Sequence, residues 1–158
     1  SGLADSLVGV WTSICYFTPL VGGYLSDTSL GRWRAIVYFF SVYLIGMVLV
    51  AGASWAGLVS VPAFFACALV VALGSGAMKP LVSTFGADQL EHGPQPVSDT
   101  TKESYFNLLY WCQNLGAFGA FTVLVWVCQN VSFDYGFTAA ALALSLSFAT
   151  LVWHGTSE

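Results

Sequence analysis

One lysine stands out among the residues that could do chemistry, because it ends a long apolar run. Lys79 follows an uncharged stretch from Ala35 to Met78, and the next charge along the chain is Asp88. A lysine near the middle of a bilayer costs roughly 3 kcal/mol or more, so it is normally found where it faces a polar cavity or an opposite charge. We therefore interpret Lys79 as the leading functional candidate. The alternative is a lysine whose long side chain reaches the membrane surface.

The other reactive side chains lack the spacing of a metal site or an enzyme. Four cysteines lie in apolar stretches, where small hydrophobic residues are expected, and neither histidine has a companion at ligand spacing. The chain also lacks the patterns of a catalytic triad, a phosphate-binding loop or a pair of acid-base carboxylates. We predict no metal, no cofactor and no enzymatic activity. The residues concerned are Cys15, Cys67, Cys112, Cys128, His92 and His154.

The composition is that of an integral membrane protein. Hydrophobic residues make up 57% of the chain and charged residues 8%, whereas a soluble domain averages about 25% charged residues. A membrane-spanning helix needs about 20 apolar residues, and the uncharged segments have room for five such helices. The net charge of -4 argues against nucleic-acid binding. The uncharged segments are residues 6–26, 35–78, 104–133 and 135–157.

These segments predict an all-α fold with five transmembrane helices. Arg32, Arg34 and Lys102 flank the first and third connections, so the positive-inside rule places those connections in the cytoplasm. Gly31 in the first connection suits a position with positive φ. Because the chain begins with Ser1 rather than methionine, we expect it to be a piece of a longer protein. The predicted spans are about 3–25, 33–53, 58–85, 104–128 and 135–153, with a polar cytoplasmic loop at about 90–103.

Three blocks of sequence resemble a known transporter family. Residues 74–90 read GSGAMKPLVSTFGADQL, which resembles the signature G-T-G-G-I-K-P-x-x-x-x-F-G-x-D-Q-F of the proton-coupled oligopeptide transporters. Residues 106–116 resemble the family's F-x-x-x-Y-x-x-x-N-x-G helix. Residues 23–32 are similar to the G-x-x-x-D-x-x-x-G-R turn of the wider major facilitator superfamily. The resemblance implies that the chain is a partial N-terminal bundle of that fold, holding the second to the sixth of its spans.

The resemblance also implies a substrate site. Lys79 matches a lysine that contributes to proton coupling and holds the carboxylate of a bound peptide. Asn114 matches an asparagine that binds the peptide's amino end, and Tyr110 and Tyr16 match pocket tyrosines. Tyr110 and Asn114 are four residues apart, which places them on one helix face. For Tyr16, an ordinary buried aromatic residue is the alternative.

A second group of residues matches the family's gating positions. Asp27, Arg32 and Asp88 match residues that tie helix ends together on the cytoplasmic side. Ala77 and Leu90 depart from the family pattern, but neither change removes a chemical group. The larger difference is that the family's first helix and second half, which supply the acidic partners, have no counterpart in this chain.

The function that follows is proton-coupled secondary transport of small peptides or related solutes by alternating access, with this chain as a fragment. The partners would be the substrate, protons, the lipid bilayer and the remaining transporter helices. We expect a multi-pass protein of the plasma membrane, with the vacuolar or lysosomal membrane as the alternative. Two other functions stay open: a nitrate or other solute carrier of the same family, and a truncated, non-transporting interaction partner. An ion channel is disfavoured because no ring of carbonyls or carboxylates stands out.

Overall fold

The computed structural model describes residues 2–57, 61–91 and 98–155. Those residues form helices joined by short turns, and two of the helices run on into a stretch of π-helix. The second π-helical stretch is followed by a short helix, α5, in the same span. The elements are α1 Gly2–Leu25, a π-helical turn Ser26–Leu30, α2 Arg32–Trp55, α3 Val61–Glu91, α4 Asp99–Gly119, a π-helical turn Ala120–Leu124, α5 Val125–Asn130 and α6 Phe133–Gly155.

Among the described residues, five helical segments are long and apolar enough to cross a membrane. Each holds an apolar window, and charges are confined to a few positions. The prediction of an all-α membrane fold with five transmembrane helices is therefore confirmed. We call α4, its π-helical turn and α5 together the fourth span. The five segments are Asp5–Leu30, Arg32–Trp55, Pro62–Glu91, Asp99–Asn130 and Phe133–Trp153.

Helix α3 lies at the centre of the fold. It packs against α1 on one side and α2 on the other, and α2 in turn packs against α6. The most buried cluster sits where α2 meets α3, and it combines two alanines with larger apolar side chains. The cluster consists of Ala35, Ile36, Phe39, Ala77 and Leu81.

Two glycines allow α3 to lie this close to both neighbours. A Cβ atom on Gly74 would collide with the backbone nitrogen and Cα of Tyr43 in α2, and a Cβ on Gly76 would lie 2.7 Å from the carbonyl oxygen of Cys15 in α1. Membrane helices approach closely at small residues, because packing and not water exclusion holds them together. The segment just before Lys79 is therefore wedged between two helices.

The fourth span is attached to the rest of the fold mainly at its two ends. Near one end the ring of Tyr105 lies against Gly86 of α3, and near the other Cys128 lies against Gly136 of α6. Between these points the helix is exposed, with Trp111 74% accessible. The middle of this span therefore contributes little to the packing of the described bundle.

The helices extend beyond the predicted spans. Helix α3 continues past Pro80 to Glu91, and α4 begins at Asp99, earlier than the predicted start near Ser104. Part of the predicted loop at about 90–103 is therefore helical, and its residues 92–97 lie outside the described residues. The first connection is also mostly helical. It breaks at Gly31, whose φ of 73° confirms the expected positive value.

Candidate functional site

Lys79 lies on the face of α3 that neither α1 nor α2 covers. At about 100° of rotation per residue, its side chain is about 140° from Gly74 and about 60° from Gly76, the two points of closest helix approach. The side chain is exposed, and among the described residues it has no ion-pair partner. Its backbone carbonyl accepts a hydrogen bond of 3.2 Å from the Ser83 hydroxyl. The structure thus holds a cation on a rigid helix and leaves its charged end available.

Tyr110 and Asn114 share one exposed face of α4. The Asn114 amide Nδ2 donates a hydrogen bond of 2.7 Å to the backbone carbonyl oxygen of Tyr110. This bond does not involve the Tyr110 hydroxyl. Tyr16, on α1, is 80% exposed in the described bundle. No hydrogen bond among the described residues joins Tyr16 or Lys79 to the pair on α4. The predicted substrate residues therefore lie on three helices, all with accessible side chains.

The predicted gating residues come together at one end of the bundle. Arg32 at the start of α2 lies 3.7 Å from Asp27 of the π-helical turn and makes direct contact with Asp88 of α3. Asp27 is the more exposed acid, at 67% against 32% for Asp88. Exposed ion pairs contribute little on their own, so the Asp88 contact should carry most of the interaction. One guanidinium thus connects the ends of the first three spans.

A further ion pair at the same end links α3 to α4. The Lys102 ammonium lies 2.6 Å from a Glu91 carboxylate oxygen. Sequence reasoning did not single out this pair, although two opposite charges flanking one loop were a usable signal. We call the five residues of these ion pairs the charged end of the bundle. It comprises Asp27, Arg32, Asp88, Glu91 and Lys102.

The opposite end is tied by polar contacts between α2 and α6, which sequence reasoning also missed. The Ser54 hydroxyl donates to the Asp134 carboxylate, and the Trp55 indole Nε1 donates a 2.8 Å hydrogen bond to the Thr138 hydroxyl. The Trp55 ring also packs edge-on against Tyr135, with 5.3 Å between ring centroids. The hints in the sequence were Trp55, just before the connection from α2 to α3, and Asp134, just after the connection from α5 to α6. These contacts fix the last turn of α2 to the first turns of α6.

Comparison with known proteins connects this architecture to one family. A sequence model described as the POT family matches residues 33–156. Among curated proteins, Protein NRT1/PTR FAMILY 8.5 of Arabidopsis thaliana is 36% identical over an alignment 166 residues long. The alignment covers 93% of this chain and 28% of that protein. NRT1/PTR FAMILY 8.1 of the same plant is also 36% identical, over 87% of this chain and 26% of its own length.

Solved structures agree with the sequence match. A proton-dependent oligopeptide (POT) family transporter superposes with a TM-score of 0.82 at 26% identity, covering 98% of this chain and 32% of its own. A peptide transporter POT in complex with sulfate gives a TM-score of 0.77 at 28% identity, covering 90% and 27%. The chain therefore spans about a third or less of the length of these relatives, which are transporters and not enzymes, as the sequence predicted. The helical bundle, the ordered motifs and these matches show that the chain belongs to the POT family.

Proposed function

We propose that this chain is part of a proton-coupled secondary transporter of small peptides or related solutes, working by alternating access. Family membership supports transport as the activity, and the accessible cation on α3 is the observation that carries the mechanism. Transporters of this kind bind substrate near the bilayer midplane between two helical bundles that rock against each other. The five spans would be the second to the sixth of such a protein.

Lys79 is proposed to couple protons to substrate. A carboxylate supplied by helices outside the described bundle would pair with its ammonium until a proton neutralises the acid. The released lysine would then hold the carboxylate of the substrate. Moving one charge through a membrane potential supplies about 2.3 kcal/mol per 100 mV, which is enough to drive concentrative uptake. The exposure of Lys79 and its lack of an ion-pair partner among the described residues support this role.

Tyr16, Tyr110 and Asn114 are proposed to complete the substrate site. All three present accessible groups, and the hydrogen bond from Asn114 to the Tyr110 carbonyl orients the amide so that its oxygen is available to a substrate amine. Asp27, Arg32 and Asp88 would then be the gate on the cytoplasmic side. Their three-way contact holds the charged end together and would open or close as that end rearranges.

Peptide and nitrate remain the two candidate substrates. Solved neighbours are described as peptide transporters, one of them in complex with alafosfalin, whereas the curated plant relatives carry names that combine NRT1 and PTR. We favour a peptide because the proposed site pairs a cation for a carboxylate with an amide for an amine. We also propose the plasma membrane as the location, with the vacuolar or lysosomal membrane as the alternative. A fluorescent fusion in plant cells decides between them.

The test uses a chimera in which this chain replaces the matching segment of full-length NRT1/PTR FAMILY 8.1. Reconstituted in liposomes with an imposed proton gradient, the chimera is expected to accumulate a labelled dipeptide. Lys79→Ala should abolish gradient-driven accumulation while leaving passive exchange of dipeptide across the membrane. Lys102→Gln, which removes an equal charge at the charged end, is the matched control and should retain accumulation. Wild-type accumulation by the Lys79 variant would refute the coupling role.

A non-transporting interaction partner is the second candidate, and the exposed middle of the fourth span favours it. An exposed helix face in a bundle of five could pair with spans of another membrane protein. The chain by itself, reconstituted in the same liposomes, should not accumulate dipeptide or nitrate if it needs further helices. A chimera that also fails to transport, while it inserts normally, would favour this second function.

A further inference from the structure

The two arginines at the start of α2 point in opposite directions. Arg32 and Arg34 are two residues apart, so their side chains leave the helix about 160° apart. Arg32 faces the acidic residues of the charged end and pairs with them. Arg34 is exposed and takes part in none of the ion pairs among residues 2–57, 61–91 and 98–155. Its charge is therefore directed away from the gate, on the outer face of α2.

A groove of about 420 Å³ lies beside Arg34 on that face. Arg34 shares the first turn of α2 with Trp33, and Leu30 lies just before that turn. The remaining lining residues follow along the next two turns, and most of the lining is apolar or aromatic. At the end of the groove farthest along α2, the Ser41 hydroxyl already donates a 2.8 Å hydrogen bond to the Val37 carbonyl of its own helix. The groove thus has a charged entrance and an interior that offers little polarity. Its lining residues are Leu30, Trp33, Arg34, Val37, Tyr38 and Ser41.

We propose that this groove binds an anionic phospholipid of the adjoining membrane leaflet. The headgroup phosphate would lie on the Arg34 guanidinium, which matches phosphate oxygens in a bidentate geometry. One acyl chain would follow Val37 toward the bilayer centre. Trp33 and Tyr38 flank the groove near the helix start, at the depth where aromatic residues favour the membrane interface.

Charge complementarity argues for an anionic lipid over a zwitterionic one. The other two cations at this end, Arg32 and Lys102, are already paired with carboxylates. Arg34 is the cation at this end for which the described residues supply no counter-ion. A basic residue at an anionic membrane surface contributes about 1 kcal/mol, which corresponds to about fivefold in affinity. A zwitterionic lipid gains less because its own cation opposes the guanidinium.

The experiment measures lipid binding to the chain in detergent by native mass spectrometry. Phosphatidylglycerol and phosphatidylcholine with identical acyl chains are titrated in parallel. We expect Arg34→Gln to weaken phosphatidylglycerol binding about fivefold and phosphatidylcholine binding by less, while Arg34→Lys retains part of the preference. Lys102→Gln removes the same unit of charge outside the groove and is expected to change neither affinity.

A second variant tests the groove without altering charge. Val37→Phe fills it and should weaken phosphatidylglycerol binding while Arg34 is intact. Because both changed side chains lie on an outer face, the variants should elute as the parent chain does, and this is checked first. Equal losses from Arg34→Gln and Lys102→Gln would show diffuse attraction and overturn the site. Equal affinity of the parent for both lipids would overturn it as well.

Discussion

Substituting Gly74 by alanine should separate α3 from α2. The new Cβ would collide with the backbone nitrogen and Cα of Tyr43, and with its Cβ. Because two of these atoms are backbone, no change of rotamer relieves the overlap, and the two helices must move apart. Overpacking of this kind costs about 1–3 kcal/mol. At about 2–4 °C per kcal/mol for a chain of this size, the unfolding temperature should fall by about 2–12 °C.

The control is Gly52→Ala in the same helix pair. Gly52 lies on α2, and a Cβ there meets nothing within 4 Å, so the substitution should be neutral or stabilising by up to about 1 kcal/mol. Both variants of the purified chain are heated in detergent while the folded fraction is followed by size-exclusion chromatography. The reasoning fails if Gly74→Ala melts at the same temperature as Gly52→Ala. A double variant with Tyr43→Ala should not recover stability, because backbone atoms cause the clash.

Three further predictions concern contacts between helix ends. A double-mutant cycle of Arg32→Gln and Asp88→Asn should give a coupling energy of about 1–2 kcal/mol, above that of a fully exposed pair. A coupling energy near zero would show that the Arg32 guanidinium does not hold the helix ends together. Lys102→Gln should lower the unfolding temperature at low salt and have no effect in about 1 M salt, where the screening length is about 3 Å. A salt-independent effect would contradict the exposed ion pair of Lys102 with Glu91. In a cycle of Trp55→Phe and Thr138→Val, the coupling should be about 0.5–1.5 kcal/mol, whereas strict additivity would show that the 2.8 Å hydrogen bond stabilises nothing.

The sequence predicted the number and type of elements well, because both depend on local composition. Uncharged segments of spanning length need no tertiary information, and they predicted the five membrane-spanning segments found among the described residues. The positive φ of Gly31 was also predictable, because it depends on the local backbone between two helices. The ends of the helices were less predictable. Helix α3, for example, runs through Pro80 to Glu91, past the predicted end of its span near Phe85.

The contacts that position the candidate site could not be read from sequence. Gly74 and Gly76 were visible beside Lys79, but only the packed helices show that one faces α2 and the other α1. The pairing of Arg32 with Asp88 joins residues far apart in the chain, and its motif suggested a partner without identifying the geometry. The groove beside Arg34 was invisible, because it depends on which face of α2 the other helices leave uncovered.

The hydrogen bond inside α4 has a consequence for how the chain enters the membrane. A helix leaving the translocon meets lipid before it meets its final neighbours, and an asparagine with an unsatisfied amide is costly there. The Asn114 side chain donates to the Tyr110 carbonyl one turn earlier, so part of its polarity is satisfied within the helix itself. The middle of the fourth span remains exposed in the folded bundle. The free-energy cost of holding this span in the bilayer before other helices pack against it is therefore reduced. Biogenesis of this segment then depends less on immediate docking than the polar residues in its sequence suggest.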